Sequence, residues 1–187
     1  MKILSWNKFV EGILKDTVPL AMTIGVFDGI HLGHQDLFDN IIKYPNSESA
    51  VMTFNNNPRY FFDDKSYSGD IYSRQQKLEK LESINIDTVI LIDFSLDFSK
   101  LSGNDFLELI LKNCDLSYLA LGNNFRCGVR GMTTSYEAAR ILELNNVPVN
   151  IVEMRQYNEE IISSSRIRNA LASGDFNIVN KMLNEIG

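Results

Sequence analysis

Short apolar runs alternate with stretches of helical periodicity along this 187-residue chain, and that alternation limits the fold more than any other feature. The candidate strands are 21–26, 50–54, 88–92, 118–121 and 147–152. They are brief and apolar on both faces, as strands covered by helices on both sides must be. Between them, 33–44 places Leu37, Phe38, Ile41 and Ile42 at helical spacing, and 73–83 carries Leu78 and Leu81. Ser102 and Asp105 make a variant capping box ahead of an apolar helix, and Thr134 and Glu137 repeat the device ahead of 138–144. A further helix over 165–172 is closed by Gly174, and Asp175 opens the last one. The expected fold is a single Rossmann-like, doubly wound α/β domain over 1–187, with a mostly parallel sheet of about five strands and helices on both faces.

Composition removes several function classes. Hydrophobic residues make up 44% of the chain and charged residues 22%, enough for a sizeable core. No apolar run approaches the ~18 residues that cross a bilayer, and no secretory leader pattern opens the chain, so no membrane partner and a cytoplasmic location are expected. The net charge of −6 argues against a general nucleic-acid binder, although a few cations converging on one pocket can still hold a small polyanion. Cys114 and Cys127 form no CxxC and read as reduced thiols.

In a doubly wound sheet, ligands sit outside the carboxyl ends of the strands, which directs attention to the segments following each one. The first, GVFDGIHLGHQ over 25–35, runs a strand through Gly25, Phe27 and a turn at Asp28 into a helix near Gly33. It holds both histidines of the chain, His31 and His34. Three residues apart at a helix start, their imidazoles share a face, where free N–H groups and the helix dipole favour phosphate. A zinc site would need a third ligand that no further histidine supplies. A purely structural pair remains the other reading, and Asp28 would serve equally as a cap.

Near the end, Ser163, Ser164 and Ser165 place hydroxyls and free N–H groups at a helix start, followed by Arg166 and Arg168 on different sides of that helix. An ordinary serine cap with two solvated arginines fits the same residues. Asn124, Phe125 and Arg126 follow the fourth strand, in a sequence that also suits a turn. Asn55, Asn57, Pro58 and Arg59 follow the second, and Tyr60, Phe61 and Phe62 offer rings for stacking or for packing. The polar and aromatic stretch 55–70 lacks periodicity and is expected to be a mobile loop over a site.

Four segments carry a resemblance. GVFDGIHLGHQ is similar to the first motif of bacterial FAD synthetases, within the HxGH nucleotidyltransferase superfamily. TFNNNPR over 53–59, GNNFRCG over 122–128 and ISSSRIR over 162–168 resemble that family's later motifs, in the same order. The resemblance runs from about residue 23 to 183. It implies transfer of AMP from ATP to FMN, giving FAD and pyrophosphate, with Mg2+ accompanying ATP. ATP and FMN are then the small-molecule partners.

The resemblance assigns catalysis to His31, His34 and Arg168, the last through phosphate. Gly25, Phe27, Asp28, Gly33 and the three serines fall to ATP, and Asn55, Asn57, Pro58, Arg59, Asn124, Phe125 and Arg126 to flavin. A metal ligand set is not implied. Two departures bear on the acceptor side: Asn55-Asn56-Asn57 replaces Asp-Pro-His, and Cys127 stands where an aromatic residue is usual. These departures keep open another phosphorylated acceptor, or a non-catalytic flavin or nucleotide binder. Typical family members add a C-terminal riboflavin kinase domain, which is expected to be absent from these residues, whether the chain stands alone or is the first part of a longer one.

Overall fold

The computed structural model describes residues 1–62 and 67–184. The chain opens with β1 (Lys2–Ser5), α1 (Trp6–Val10), β2 (Leu20–Ile24), α2 (Leu32–Ile42) and β3 (Glu48–Phe54). It continues through α3 (Pro58–Phe61), α4 (Arg74–Ser83), β4 (Thr88–Ile92), α5 (Leu96–Ser99), α6 (Gly103–Asn113) and β5 (Leu116–Gly122). A short hairpin of β6 (Arg126–Cys127) and β7 (Thr133–Thr134) leads to α7 (Ser135–Glu143) and β8 (Val149–Val152). A second hairpin, β9 (Gln156–Tyr157) with β10 (Glu160–Ile161), precedes α8 (Ser164–Ser173) and α9 (Phe176–Leu183).

The central sheet has six parallel strands in the order β1-β4-β3-β2-β5-β8. From β2 the chain steps outward to β3 and then β4, and later returns to place β5 and β8 on the opposite side of β2. The switch point therefore lies between β2 and β5. The five expected strands form the body of the sheet. The sixth, β1, is an edge strand paired only with β4, and its residues are mostly exposed, so no buried apolar run marks it in the sequence.

Side chains on the inner strands alternate between two apolar layers. Met22, Ile24, Met52, Ile90, Ile92, Leu119 and Leu121 pack on the face covered by Phe106, Leu107 and Ile110 of α6. Ala21, Val51, Val89, Leu91, Tyr118 and Ala120 pack on the face covered by Phe38 and Ile41 of α2 and Leu81 of α4. This period of two, with both faces buried, is why each strand reads as a continuous apolar run.

The helix starts follow their caps. Ser73 and Thr134 form full capping boxes with Gln76 and Glu137. The Ser102 hydroxyl oxygen accepts the Asp105 N–H at 3.1 Å. Gly174 closes α8 in the left-handed region, and Asp175 caps α9. Within the stretch expected to be a loop, Asn57 caps the short helix α3, while 63–66 of that expectation lie outside the described residues.

No helix among the described residues is long and apolar enough to cross a membrane. Cys114 is buried, Cys127 is half-buried, and both are free thiols.

One backbone contact sets the position of the β6–β7 hairpin. Gly128 has φ +74°, and a Cβ there would lie 2.3 Å from the amide nitrogen of Gly103 at the start of α6. Only a residue without a side chain fits, and the hairpin is thereby seated directly on the helix.

Candidate active site

The turn after β2 is built around a ring. A Cβ on Gly25 would come within 2.9 Å of the Phe27 ring, so the glycine lets Phe27 fold back over the strand end. Phe27 and Ile30 both have positive φ, at +50° and +39°. Such values cost free energy in non-glycine residues, and they persist only where the surroundings over-determine them. Phe27 is buried against Phe38, with ring centroids 5.1 Å apart.

His31 is the N-cap of α2, and His34 lies in its first turn. Their rings stack with centroids 3.6 Å apart and planes 18° off parallel, so the expected shared face is present. Phe27 meets His34 edge-on at 5.2 Å. Burial pushes the His31 imidazole down from 6.5 to about 4. Burial also drives His34 well below its ordinary value, with His31 and the Lys77 ammonium adding to the effect. Both rings are therefore neutral at pH 7, which permits the stack, and each keeps one N–H donor. The Nδ1 atoms of both rings are buried without a hydrogen-bond partner.

Two cavities open at the switch point. The first, about 260 Å³, is a polar cleft lined by His31, Gly33, His34, Asn124, the loop 152–155 and Ser163, Ser164 and Ser165. The N-termini of α2 and α8 both lie on it, each with unpaired N–H groups and a positive dipole end. Ser163 caps α8 by accepting the Arg166 N–H at 3.2 Å. The Ser164 hydroxyl donates to the Asp28 carbonyl at 2.8 Å.

The second cavity, about 440 Å³, is apolar and aromatic. Phe27, Phe54, Pro58, Phe94, Phe98, Phe106 and Phe125 line it, with Gly25, Arg126, Cys127 and Gly128. The two cavities share His34, Leu37, Gly122, Asn124 and Ser164 as a common wall.

The structure brings together most of the residues singled out in the sequence and relocates the others. Gly25 and Phe27, expected beside ATP, line the apolar cavity rather than the polar cleft, because the Phe27 ring turns back onto Gly25. Asn55 and Asn57, expected at the flavin, line neither cavity. The Asn55 amide donates to Asp93 at 2.7 Å. The Asn57 amide donates to Asp70 at 3.2 Å, while its oxygen caps α3. Both face a separate small polar cavity shared with Asp28, Asp70 and Lys77. Arg59 also lines neither cavity; its guanidinium lies over the Tyr67 ring, 5.0 Å from the centroid.

Asp28 does not reach the polar cleft. Its carboxylate accepts the Ile71 N–H at 2.8 Å and pairs with Arg168 at 2.5 Å. Burial raises this carboxyl, and the Ile71 N–H and Arg168 pull it the other way. Arg168, expected on phosphate, lines neither cavity. Arg166 turns to the β9–β10 hairpin, where it donates to the carbonyls of Tyr157 and Glu160 and pairs with the Glu160 carboxylate at 3.0 Å.

Three further contributions carry no sequence motif. Lys77 is a buried cation whose Nζ donates to the carbonyl of Phe54 at 2.9 Å, and burial lowers its pKa. It reads in the sequence as one more lysine on a polar helix. Phe94, Phe98 and Phe106 come from two separate segments and meet only in the fold. The loop 152–155 follows the last parallel strand, so the strand-end rule alone could have marked it.

The fold is a doubly wound α/β fold, with two adjoining cavities at the carboxyl ends of its parallel strands. Residues 13–166 match the family model described as FAD synthetase, and the chain belongs to that family. It is 30% identical over 193 aligned positions to the bifunctional riboflavin kinase/FMN adenylyltransferase of Buchnera aphidicola subsp. Acyrthosiphon pisum, covering 100% of this chain and 60% of the relative. It is 26% identical to the FAD synthetase of Listeria monocytogenes serovar 1/2a, over 90% of this chain and 70% of that protein.

Among solved structures, one described as a macrolide-efflux protein from Streptococcus pneumoniae superimposes with a TM-score of 0.84 at 26% identity, covering 99% of this chain and 62% of that one. A pantoate–β-alanine ligase from Francisella tularensis shares the fold, with a TM-score of 0.59 at 16% identity over 98% of this chain and 78% of that one. The chain spans 60% or less of the length of the two Buchnera bifunctional relatives.

Proposed function

We propose that the chain is an FMN adenylyltransferase, which transfers AMP from ATP to FMN and releases FAD and pyrophosphate. The observation that carries the reading is the common wall between the polar cleft and the apolar cavity, at His34, Asn124 and Ser164. A triphosphate in the cleft and a flavin ring in the aromatic cavity place a flavin phosphate and the α-phosphorus of ATP beside that wall.

A phosphate oxygen of FMN attacks the α-phosphorus, and the bond to the bridging oxygen breaks. The electron pair leaves on pyrophosphate. The N–H groups that open α2 and α8, with the N–H donors of His31 and His34, face the charge that develops there. Catalysis is positioning plus electrostatic stabilisation, without a covalent enzyme intermediate. Neutral imidazoles suit the task because they are uncharged until the anion forms.

ATP and FMN are the small-molecule substrates on this reading, and Mg2+ arrives with the ATP phosphates. No group of three His, Cys, Asp or Glu side chains among the described residues is placed to hold a metal by itself. The compartment is the cytoplasm, where free thiols stay reduced. The Asn55–Asn57 departure gives no support to a different acceptor, because these side chains lie outside the aromatic cavity.

The test incubates the protein with FMN, ATP and Mg2+ and resolves the flavins by chromatography. FAD should form, and His31→Ala should abolish most of it. ATP binding with no FAD would redirect the reading to another phosphorylated acceptor. Binding of both substrates without pyrophosphate release would make the chain a binder.

A further inference from the structure

Arg168 sits on α8, and its guanidinium turns inward to Asp28, Ser165 and Tyr67. Nη1 pairs with the Asp28 carboxylate at 2.5 Å, and Nη2 donates to the Ser165 hydroxyl at 3.3 Å. The guanidinium also lies over the Tyr67 ring, 5.1 Å from its centroid. The paired side chains are only 10% and 4% exposed, and neither lines the polar cleft. Asp28 is held from three directions: by Arg168, by the Ile71 N–H on its carboxylate, and by the Ser164 hydroxyl on its carbonyl.

Asp28 stands between Phe27 and Gly29, which both have positive φ, in the turn that delivers His31 to the N-terminus of α2. Ser164 and Arg168 are in the first two turns of α8, whose own N-terminus faces the same cleft. The ion pair thus ties together, across 140 residues of sequence, the two helix starts that face the polar cleft.

We infer that Arg168 is a positioning residue: with Asp28 it clamps the start of α8 onto the turn after β2, and it supports the nucleotide through the two helix N-termini instead of contacting phosphate. The inference rests on the nucleotide reading of the polar cleft. It departs from the phosphate contact that the family resemblance implies for this arginine.

The two roles predict opposite signs for Asp28→Asn. If Arg168 gripped phosphate, removing the competing carboxylate would free the guanidinium and lower KM for ATP. If it clamps, the change leaves a buried guanidinium without its counter-ion and loosens α8, so KM rises and kcat falls.

The experiment uses the whole chain, with Asp28→Asn, Arg168→Lys and the double variant. Initial rates of FAD formation are followed over an ATP titration, and amide hydrogen exchange over 164–173 is followed without ligand. Each single variant should lower kcat/KM for ATP by about tenfold, and the double variant should be little worse than either, because both remove one interaction. Ligand-free exchange over 164–173 should accelerate in all three. A lower KM for ATP in Asp28→Asn would overturn the clamp, as would an Arg168→Lys defect with unchanged α8 exchange.

Should Asp28→Asn fail to fold, Arg168→Lys alone decides, through the same pairing of kinetics with exchange. Should the wild type make no FAD, the proposed activity fails. The clamp is then tested by calorimetric ATP affinity and by α8 exchange, neither of which needs turnover.

Discussion

The polar cleft and the aromatic cavity share a wall but are made in different ways. The cleft depends on directed backbone: two helix N-termini, of which α8 is capped by Ser163 and α2 opens at His31 without a side-chain cap, and two imidazoles stacked at 3.6 Å. The cavity depends on surface: phenylalanines from five separate parts of the chain converge there. Phosphate must be met by donors at fixed positions, so it needs particular residues at particular turns. A flat apolar ring needs area and shape, which many residue sets can supply. The cleft should therefore respond steeply to single substitutions, and the cavity in shallower increments.

The largest expected effect is on the cleft side. His31→Ala should lower kcat by about 10²–10³-fold, the loss usual for one preorganised donor to a developing anion, while the far-ultraviolet circular dichroism stays unchanged. Unchanged turnover would remove the imidazoles from the chemistry and the sharpest contrast between the two regions.

A second expectation concerns acid. The folded chain holds His31 neutral down to about pH 4, whereas the unfolded chain protonates it near 6.5. Between these values the unfolded state binds the extra proton, so stability is full above pH 6.5 and falls as the pH drops towards 4. The loss from His31 amounts to ~3 kcal/mol. Urea midpoints at pH 7.5 and 4.5 should differ strongly in the wild type, and less in His31→Asn.

The cavity side comes next. Gly128→Ala combines positive φ with a Cβ 2.3 Å from the Gly103 nitrogen, and it should cost about 1–3 kcal/mol while displacing the β6–β7 hairpin. Because Gly128 lines only the aromatic cavity, FMN affinity should fall more than ATP affinity in parallel titrations. Phe98→Ala should weaken FMN about tenfold, near the ~1.5 kcal/mol of a lost aromatic contact, and leave KM for ATP alone. An equal loss for both substrates would merge the two regions into one site. The smallest effect belongs to Asn55→Ala, which should change KM for FMN by less than about twofold, since this side chain faces Asp93.

The same contrast explains how much of the molecule was legible in its sequence. The doubly wound sheet was readable because β2 to β5 are buried on both faces and stand as apolar runs between capped helices. β1 was not, because an exposed edge strand carries no such run. His31, Gly33, His34 and the three serines stand out in the sequence because imidazoles, a glycine and hydroxyls at helix starts make a local pattern, and the fold sets them around one cleft.

Phe94, Phe98 and Phe106 left none, since phenylalanines that line a cavity look the same as those that fill a core. The motifs place Asp28 and Arg168 beside ATP, whereas in the fold their charged groups pair with each other. A sequence does not show whether a charged group faces the ligand or another charged group 140 residues away. Lys77 was invisible for the same reason: its partners are strand-end carbonyls, which every residue possesses.

The distance along the chain between the two helix starts also bears on synthesis. The segments 31–34 and 163–165 line one cleft, so a nascent chain carries only part of that cleft until residue 163 has been made. All six sheet strands and the layers around them are made before residue 163. The last helices add a small cluster of their own, Ile162, Ile167, Val179, Met182 and Leu183, that seats α8. Nucleotide affinity should therefore arrive late and abruptly in a series of C-terminal truncations, after the sheet has become stable.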